Sequence, residues 1–275
     1  MHKANLAGVA VAELRGKDRL IVALDVPTSE EALHLVDKLD NVSFFKVGWQ
    51  LFIAGNLPWL LGQLRTKNIF VDLKVPGDIG NTIRSVIELC VAMNVKFLTL
   101  SESVLPPTIA AALDARGGKL EPKLLTVPYL SSMDEEDLHA SAVSTSLEDH
   151  IHGRAVAAIA AGCDGVIASG QAIKVCRQKF GDAIIIVSPG IRPTGASADD
   201  HKRHTTPAEA IRLGADYLVV GRPIRNDSNP RKAAQQIIEE IDVALDRRRT
   251  TSSSGSSSDH LAMSAKPSSD GTLEL

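Results

Sequence analysis

The sequence predicts a single-domain (β/α)8 TIM barrel, residues 1–248, followed by a disordered Ser-rich C-terminal tail, residues 249–275. Three observations carry that prediction. Eight short apolar runs alternate with amphipathic segments up to Arg247, and such alternation implies parallel strands joined by right-handed crossovers. Charged residues recur where the early runs end, at Asp25, Lys46, Asp72 and Lys74, the end of the strands at which a barrel carries its chemistry. Beyond Arg248 the chain turns Ser-rich and poor in aromatics, so it lacks the apolar surface that would offset its ordering entropy. An open doubly wound sheet is the alternative architecture. The lack of a G-x-G-x-x-G turn after the first strand weakens it.

The elements follow in order. Residues 1–18 read as a leading helix, with Leu6, Val9, Ala10 and Leu14 toward one side. Leu20–Asp25 is a buried strand, and Ser29 is placed to cap the helix that carries Leu33, Leu35, Val36 and Leu39. Ser43–Gly48 is the second strand, Pro58–Thr66 is helical, and the third strand opens the stretch Asn68–Thr82. Strands then recur at Val95–Leu100, Lys123–Tyr129, Gly165–Ser169, Ile184–Pro189 and Asp216–Val220. Helical patterns cover Thr108–Ala115, Asp134–Ala142, His152–Ala161 and Lys174–Phe180. Pro207 opens another helix at its first turn, and the last runs from Pro230 to Arg247.

Composition narrows the function. A net charge of -3 gives no reason to expect nucleic acid or an anionic membrane as partner. Cys90, Cys163 and Cys176 have no metal-ligand spacing and read as core thiols of a reducing compartment. No apolar run reaches spanning length. Glu13 and Arg15 follow the apolar N-terminal residues at once, unlike a signal peptide. The expected address is the cytoplasm.

The chemistry gathers in the third strand and its loop. Asp72 and Lys74 are two apart, so both face one way, with Val71, Leu73 and Val75 facing the other. Opposite charges on a buried face are costly unless paired and used. A strand-end ion pair that merely orders the loop is the plainer alternative. Asp78 follows, in a loop containing Pro76, Gly77 and Gly80. After the fifth strand, Ser131 and Ser132 offer hydroxyls to a polar ring.

Two arginines follow the last strands, Arg192 in Pro189–Pro193 and Arg222 beside Gly221. Loops seven and eight of many barrels hold a phosphate, although two arginines capping neighbouring carboxylates would look alike. His150 and His152 read as a solvated helix start rather than a metal site, and His201 and His204 lie in the long loop Gly190–Thr206. No nucleophile elbow and no Walker loop appears.

From Leu20 to about Ile241 the sequence resembles the orotidine 5'-phosphate decarboxylase family, through D-L-K…D-I-x-N-T at Asp72–Thr82, S-P-G-I-R-P at Ser188–Pro193 and D-Y-L-V-V-G-R-P-I at Asp216–Ile224. Sugar-phosphate enzymes such as hexulose-phosphate synthase share a D-x-K-x-x-D core. The resemblance implies a two-fold barrel homodimer without metal or organic cofactor that converts orotidine 5'-phosphate to UMP and CO2. It implies a charged network of Lys46, Asp72, Lys74 and Asp78, the last entering the neighbouring subunit's site together with Thr82. Asp25 would hold the ribose hydroxyls and Ser131 the pyrimidine. Arg222 would contact the phosphate, with Arg192, Gly221 and His201 in the loops beside it. This chain departs from the family pattern in three places. Three residues separate Lys74 from Asp78 where two are usual, Gly80 replaces a Pro, and His201 replaces a Gln.

Overall fold

The apolar runs become the parallel strands β1 (Leu20–Ala23), β2 (Phe44–Gly48), β3 (Asn68–Val75), β4 (Phe97–Leu100), β5 (Lys123–Thr126), β6 (Gly165–Ile167), β7 (Ile185–Ser188) and β8 (Tyr217–Val220). They close into an eight-stranded barrel in sequence order, β8 pairing with β1 through Leu218 opposite Leu20. The computed structural model describes residues 5–6, 9–10, 13–76, 80–130, 132–193 and 205–255. The predicted barrel is therefore the observed one, with several strands trimmed by a residue or more at their ends.

The helices are α1 (Ser29–Lys38), α2 (Trp49–Ile53), α3 (Leu57–Gln63), α4 (Gly80–Ala92), α5 (Pro106–Arg116), α6 (Glu135–Ala140), α7 (Leu147–Ala160), α8 (Gln171–Phe180), α9 (Pro207–Leu213), α10 (Arg222–Arg225) and α11 (Pro230–Gly255). Thr28, not Ser29, caps α1. Its backbone is extended and its hydroxyl accepts from Glu31 N at 3.1 Å. Among the described residues no helix is long and apolar enough to cross a membrane.

Two expectations need correction. The leading helix over residues 1–18 is not formed as such. Among the described residues of that segment, Asn5–Leu6 pairs antiparallel with Val9–Ala10, and α-helix is limited to the single turn Gly16–Arg19. The β-branched Val9 favours extended backbone over a helix interior. The last helix does not stop at Arg247 but continues to Gly255. Among its described side chains, the last buried ones are Ala244 and Leu245. Residues 256–275, the rest of the expected tail, lie outside the described residues.

Strand alternation builds two separate cores. Leu20, Val22, Phe45, Val47, Leu218 and Val220 face outward beneath the helices. Ile21, Phe44, Phe70, Phe97, Leu125 and Tyr217 face inward and fill the barrel. Phe97 sits at the centre of this filling, 5.0 Å from the Phe44 ring and 5.1 Å from that of Tyr217. Burial of each such ring contributes on the order of 2 kcal/mol. At the strand starts, ion pairs tie the opposite end together. Asp216 lies 2.6 Å from Arg177, and Asp164 lies 2.6 Å from Arg116.

Candidate active site

The period-two register that stacks the aromatic filling also places the charged groups. Lys46 is two residues after Phe44, Asp72 two after Phe70, and Thr99 two after Phe97. All three point inward, one layer above the rings and at the C-terminal mouth. Asp25 lies just beyond Ala23, at the end of β1. Lys46 Nζ donates to Asp25 Oδ1 at 3.0 Å and lies 3.6 Å from Asp72 Oδ2. Lys74 Nζ donates to Asp72 Oδ1 at 2.9 Å. The order is thus acid, base, acid, base across three adjacent strands. The expected faces of β3 hold, because Val71 and Val75, with Leu73 partly buried, pack into the outer core.

Burial, the largest effect on Lys46, works against its charge. The carboxylates of Asp72 and Asp25 outweigh it and hold the ammonium above the ordinary lysine range. Burial likewise opposes charge on Asp72, but Lys46, Lys74 and a hydrogen bond from Thr99 hold it below the ordinary carboxylate range. Lys46 and Asp72 are therefore each held in the charged form by the other and by their neighbours.

Lys74 is reached in an unexpected way. Its φ is 47°, in the left-handed region where a side chain is strained. Here β3 and β4 lose register. Val71 pairs with Leu98 and Val75 with Leu100, so β3 takes four steps while β4 takes two. The regular alternation of apolar and charged residues over Val71–Val75 conceals this bulge.

Across the mouth, Pro189, Gly190, Arg192, Gly221, Arg222 and Arg225 face the array around a cavity of ≈ 540 Å³. Ala23, Phe70, Val127, Ile167, Val187 and Val219 form its apolar floor. Arg192 is buried, donates through Nη1 to Ile191 O at 2.9 Å, and its backbone N–H bonds to Thr205 O at 3.0 Å. The bond to Thr205 closes the base of the long loop.

Of the residues expected from sequence, Asp25, Lys46, Asp72, Lys74, Arg192, Gly221 and Arg222 meet in this cavity. Thr82 does not line it. It is exposed on the first turn of α4. Asp78, Ser131 and His201 lie outside the described residues, whereas the neighbouring Ser132 lines the cavity. His150 packs edge-on against Tyr129, with ring centroids 5.6 Å apart. Among the described residues no group of three or more His, Cys, Asp or Glu is placed to hold a metal ion.

Sequence reasoning missed Gln50, Thr99 and Arg225. Gln50 and Arg225 line the cavity, and Thr99 donates to Asp72. The only signal for Thr99 was its spacing of two from Phe97. Arg225, three residues past Arg222, returns to the mouth because Gly221 to Asn226 forms the single turn of α10.

A (β/α)8 barrel with an alternating carboxylate–lysine array facing arginines across one mouth is an enzyme scaffold shaped for an anionic ligand. The family model described as "Orotidine 5'-phosphate decarboxylase / HUMPS family" matches residues 18–237. Orotidine 5'-phosphate decarboxylase of Rhodopseudomonas palustris (strain HaA2) is 43% identical over 236 residues, covering 85% of this chain and 98% of that protein. The protein of the same name from Bradyrhizobium diazoefficiens is 40% identical over 237 residues, with the same coverage of 85% and 98%. The crystal structure of orotidine 5'-phosphate decarboxylase from Lactobacillus acidophilus matches with a TM-score of 0.71 at 31% identity, covering 82% of this chain and 99% of that one. The chain belongs to the orotidine 5'-phosphate decarboxylase / HUMPS family.

Proposed function

We infer that this chain decarboxylates orotidine 5'-phosphate to UMP and CO2, the step that forms UMP in pyrimidine biosynthesis. The observation that carries the reading is the Asp25–Lys46–Asp72–Lys74 array facing Arg222 across the cavity. Loss of CO2 leaves a carbanion at C6 of the pyrimidine, with no adjacent carbonyl to take up the charge. A fixed ammonium at that carbon lowers the barrier electrostatically. Lys74 supplies that charge and then the proton that replaces CO2. Asp72 flanks the departing carboxylate, and the repulsion between them is relieved as neutral CO2 forms. Lys46 keeps Asp72 ionised and holds Asp25 toward the ribose hydroxyls.

Arg222 takes the phosphate, beside Gly221, Arg192 and the loop that carries His201. Ser131 reads the pyrimidine edge. Phosphate binding far from C6 drives closure over the site and so contributes to turnover as well as affinity. No metal or organic cofactor takes part in this reading.

The same reading makes the protein a homodimer in which Asp78 and Thr82 of one subunit complete the site of the other. Two observations support it. Thr82 is exposed and does not line its own cavity, and Trp49, Phe52, Ile53 and Trp59 are exposed on α2 and α3. We place the enzyme in the cytoplasm, in keeping with three free buried cysteines.

The test is to treat the protein with EDTA, add orotidine 5'-phosphate, and follow ultraviolet absorbance together with UMP formation. Turnover undiminished by EDTA is expected. The rival on the same scaffold, a Mg²⁺-dependent sugar-phosphate enzyme, would leave orotidine 5'-phosphate untouched and lose its own activity on chelation.

A further inference from the structure

The β3 bulge creates a problem that Thr99 solves. A backbone N–H removed from a strand ladder and left in a buried place costs about 1–3 kcal/mol. Lys74 N–H is in that position, because the residues between Val71 and Val75 have no register partner on β4. Thr99 is the β4 residue opposite the bulge. It is fully buried, and its Oγ1 accepts from Lys74 N at 2.9 Å. The same oxygen donates to Asp72 Oδ1 at 2.9 Å. A hydroxyl has one proton to give, and the ionised carboxylate takes it. Accepting from Lys74 and donating to Asp72 therefore fixes the rotor.

We propose that Thr99 is a positioning residue for decarboxylation: its hydroxyl holds the left-handed backbone of Lys74 and the carboxylate of Asp72 in one geometry. The proposal rests on the decarboxylase reading and deepens it. Before substrate binds, Asp72 Oδ1 accepts from both Lys74 Nζ and Thr99 Oγ1. When the lysine turns toward C6, Thr99 remains as a neutral donor that does not leave. Asp72 then keeps its aim at the substrate carboxylate, and the Lys74 Cα stays where the ammonium can reach the ring. Misplacement of either by an ångström costs rate far more than binding. Orotidine 5'-phosphate is gripped chiefly by its phosphate and ribose, so affinity should change little.

The test compares Thr99→Val, which keeps the shape and deletes the hydroxyl, with Thr99→Ser, which keeps the hydroxyl. The wild-type protein is assayed first. If it does not consume orotidine 5'-phosphate, the decarboxylase reading fails and not this inference alone. With an active wild type, Thr99→Val should lower kcat about 10- to 100-fold with KM changed less than about threefold. Thr99→Ser should retain kcat within about threefold. The acid limb of the kcat profile should move to higher pH in Thr99→Val only, because Asp72 loses a donor. The charged groups that face Asp72 are Lys46 from β2 and Lys74 on its own strand, with Asp25 beyond Lys46. None of these is altered. Should Thr99→Val not fold, Thr99→Ala against Thr99→Ser poses the same question. Full activity without the hydroxyl overturns the proposal, and so does equal damage by both members of a pair.

Discussion

Arg225, on the short helix after the last strand, donates through Nη1 to the main-chain carbonyl of Asp25, just beyond the first strand. The bond crosses the seam where β8 meets β1. It anchors the backbone of the residue whose carboxylate holds Lys46. Arg225→Ala should therefore raise KM for orotidine 5'-phosphate several-fold, the loss of about 1 kcal/mol, with a smaller effect on kcat. Steady-state kinetics check this.

Arg222 stands on the same turn but is assigned the phosphate. Arg222→Ala should weaken orotidine 5'-phosphate by about 2–4 kcal/mol in kcat/KM while leaving the poor turnover of phosphate-free orotidine unchanged. Equal damage to both substrates would make Arg222 a structural residue.

The array predicts a pH dependence of stability. The Asp72 carboxyl is held below its ordinary range, so its stabilising contribution is full above the unfolded carboxylate pKa and fades as pH falls through the folded value. Lys46 is held above its ordinary range, so its contribution is full below the unfolded lysine pKa and fades as pH rises through the folded one. Asp72→Asn should cost about 1–3 kcal/mol at pH 7, and the gap to wild type should narrow in acid. Denaturant melts from pH 7 down to pH 3 measure it.

The proposed shared-site arrangement has a stoichiometric signature. Lys74→Ala and Asp78→Ala homodimers should each be nearly inactive. Refolded together in equal amounts, about half the dimers are mixed, and each mixed dimer has one intact site. About a quarter of wild-type activity should return. No recovery, with mixed dimers confirmed by mass spectrometry, would mean that Asp78 serves its own subunit.

Ending the chain after Arg248 should leave activity unchanged. Among the described side chains of α11 the last buried ones are Ala244 and Leu245, and both are retained. A melting temperature lowered by more than about 2–4 °C, the effect of roughly 1 kcal/mol on a domain of this size, would show that the removed segment packs on the barrel.

The barrel was legible because each strand is a short apolar run whose inward and outward positions are both buried. The charged array was legible because Asp25, Lys46, Asp72 and Lys74 interrupt those runs at their ends. Other features left no such mark. Thr99 lies inside an apolar strand and looks like core filling. The left-handed Lys74 belongs to an uninterrupted strand pattern, and a bulge is a property of two strands together. The turn α2 was missed because Trp49, Phe52 and Ile53 are exposed and show no buried stripe to read. The leading segment misled because the spacing of Leu6, Val9, Ala10 and Leu14 fits a helical face by chance as readily as a strand pair.

The ring stack of Phe44, Phe70, Phe97 and Tyr217 makes the barrel a vessel stoppered at the bottom. Traffic through it is single-file and two-way. Substrate descends, CO2 and UMP leave, and all use one doorway. Nothing can be threaded through from below, so UMP must vacate before the next orotidine 5'-phosphate is admitted, and the two compete for the same threshold.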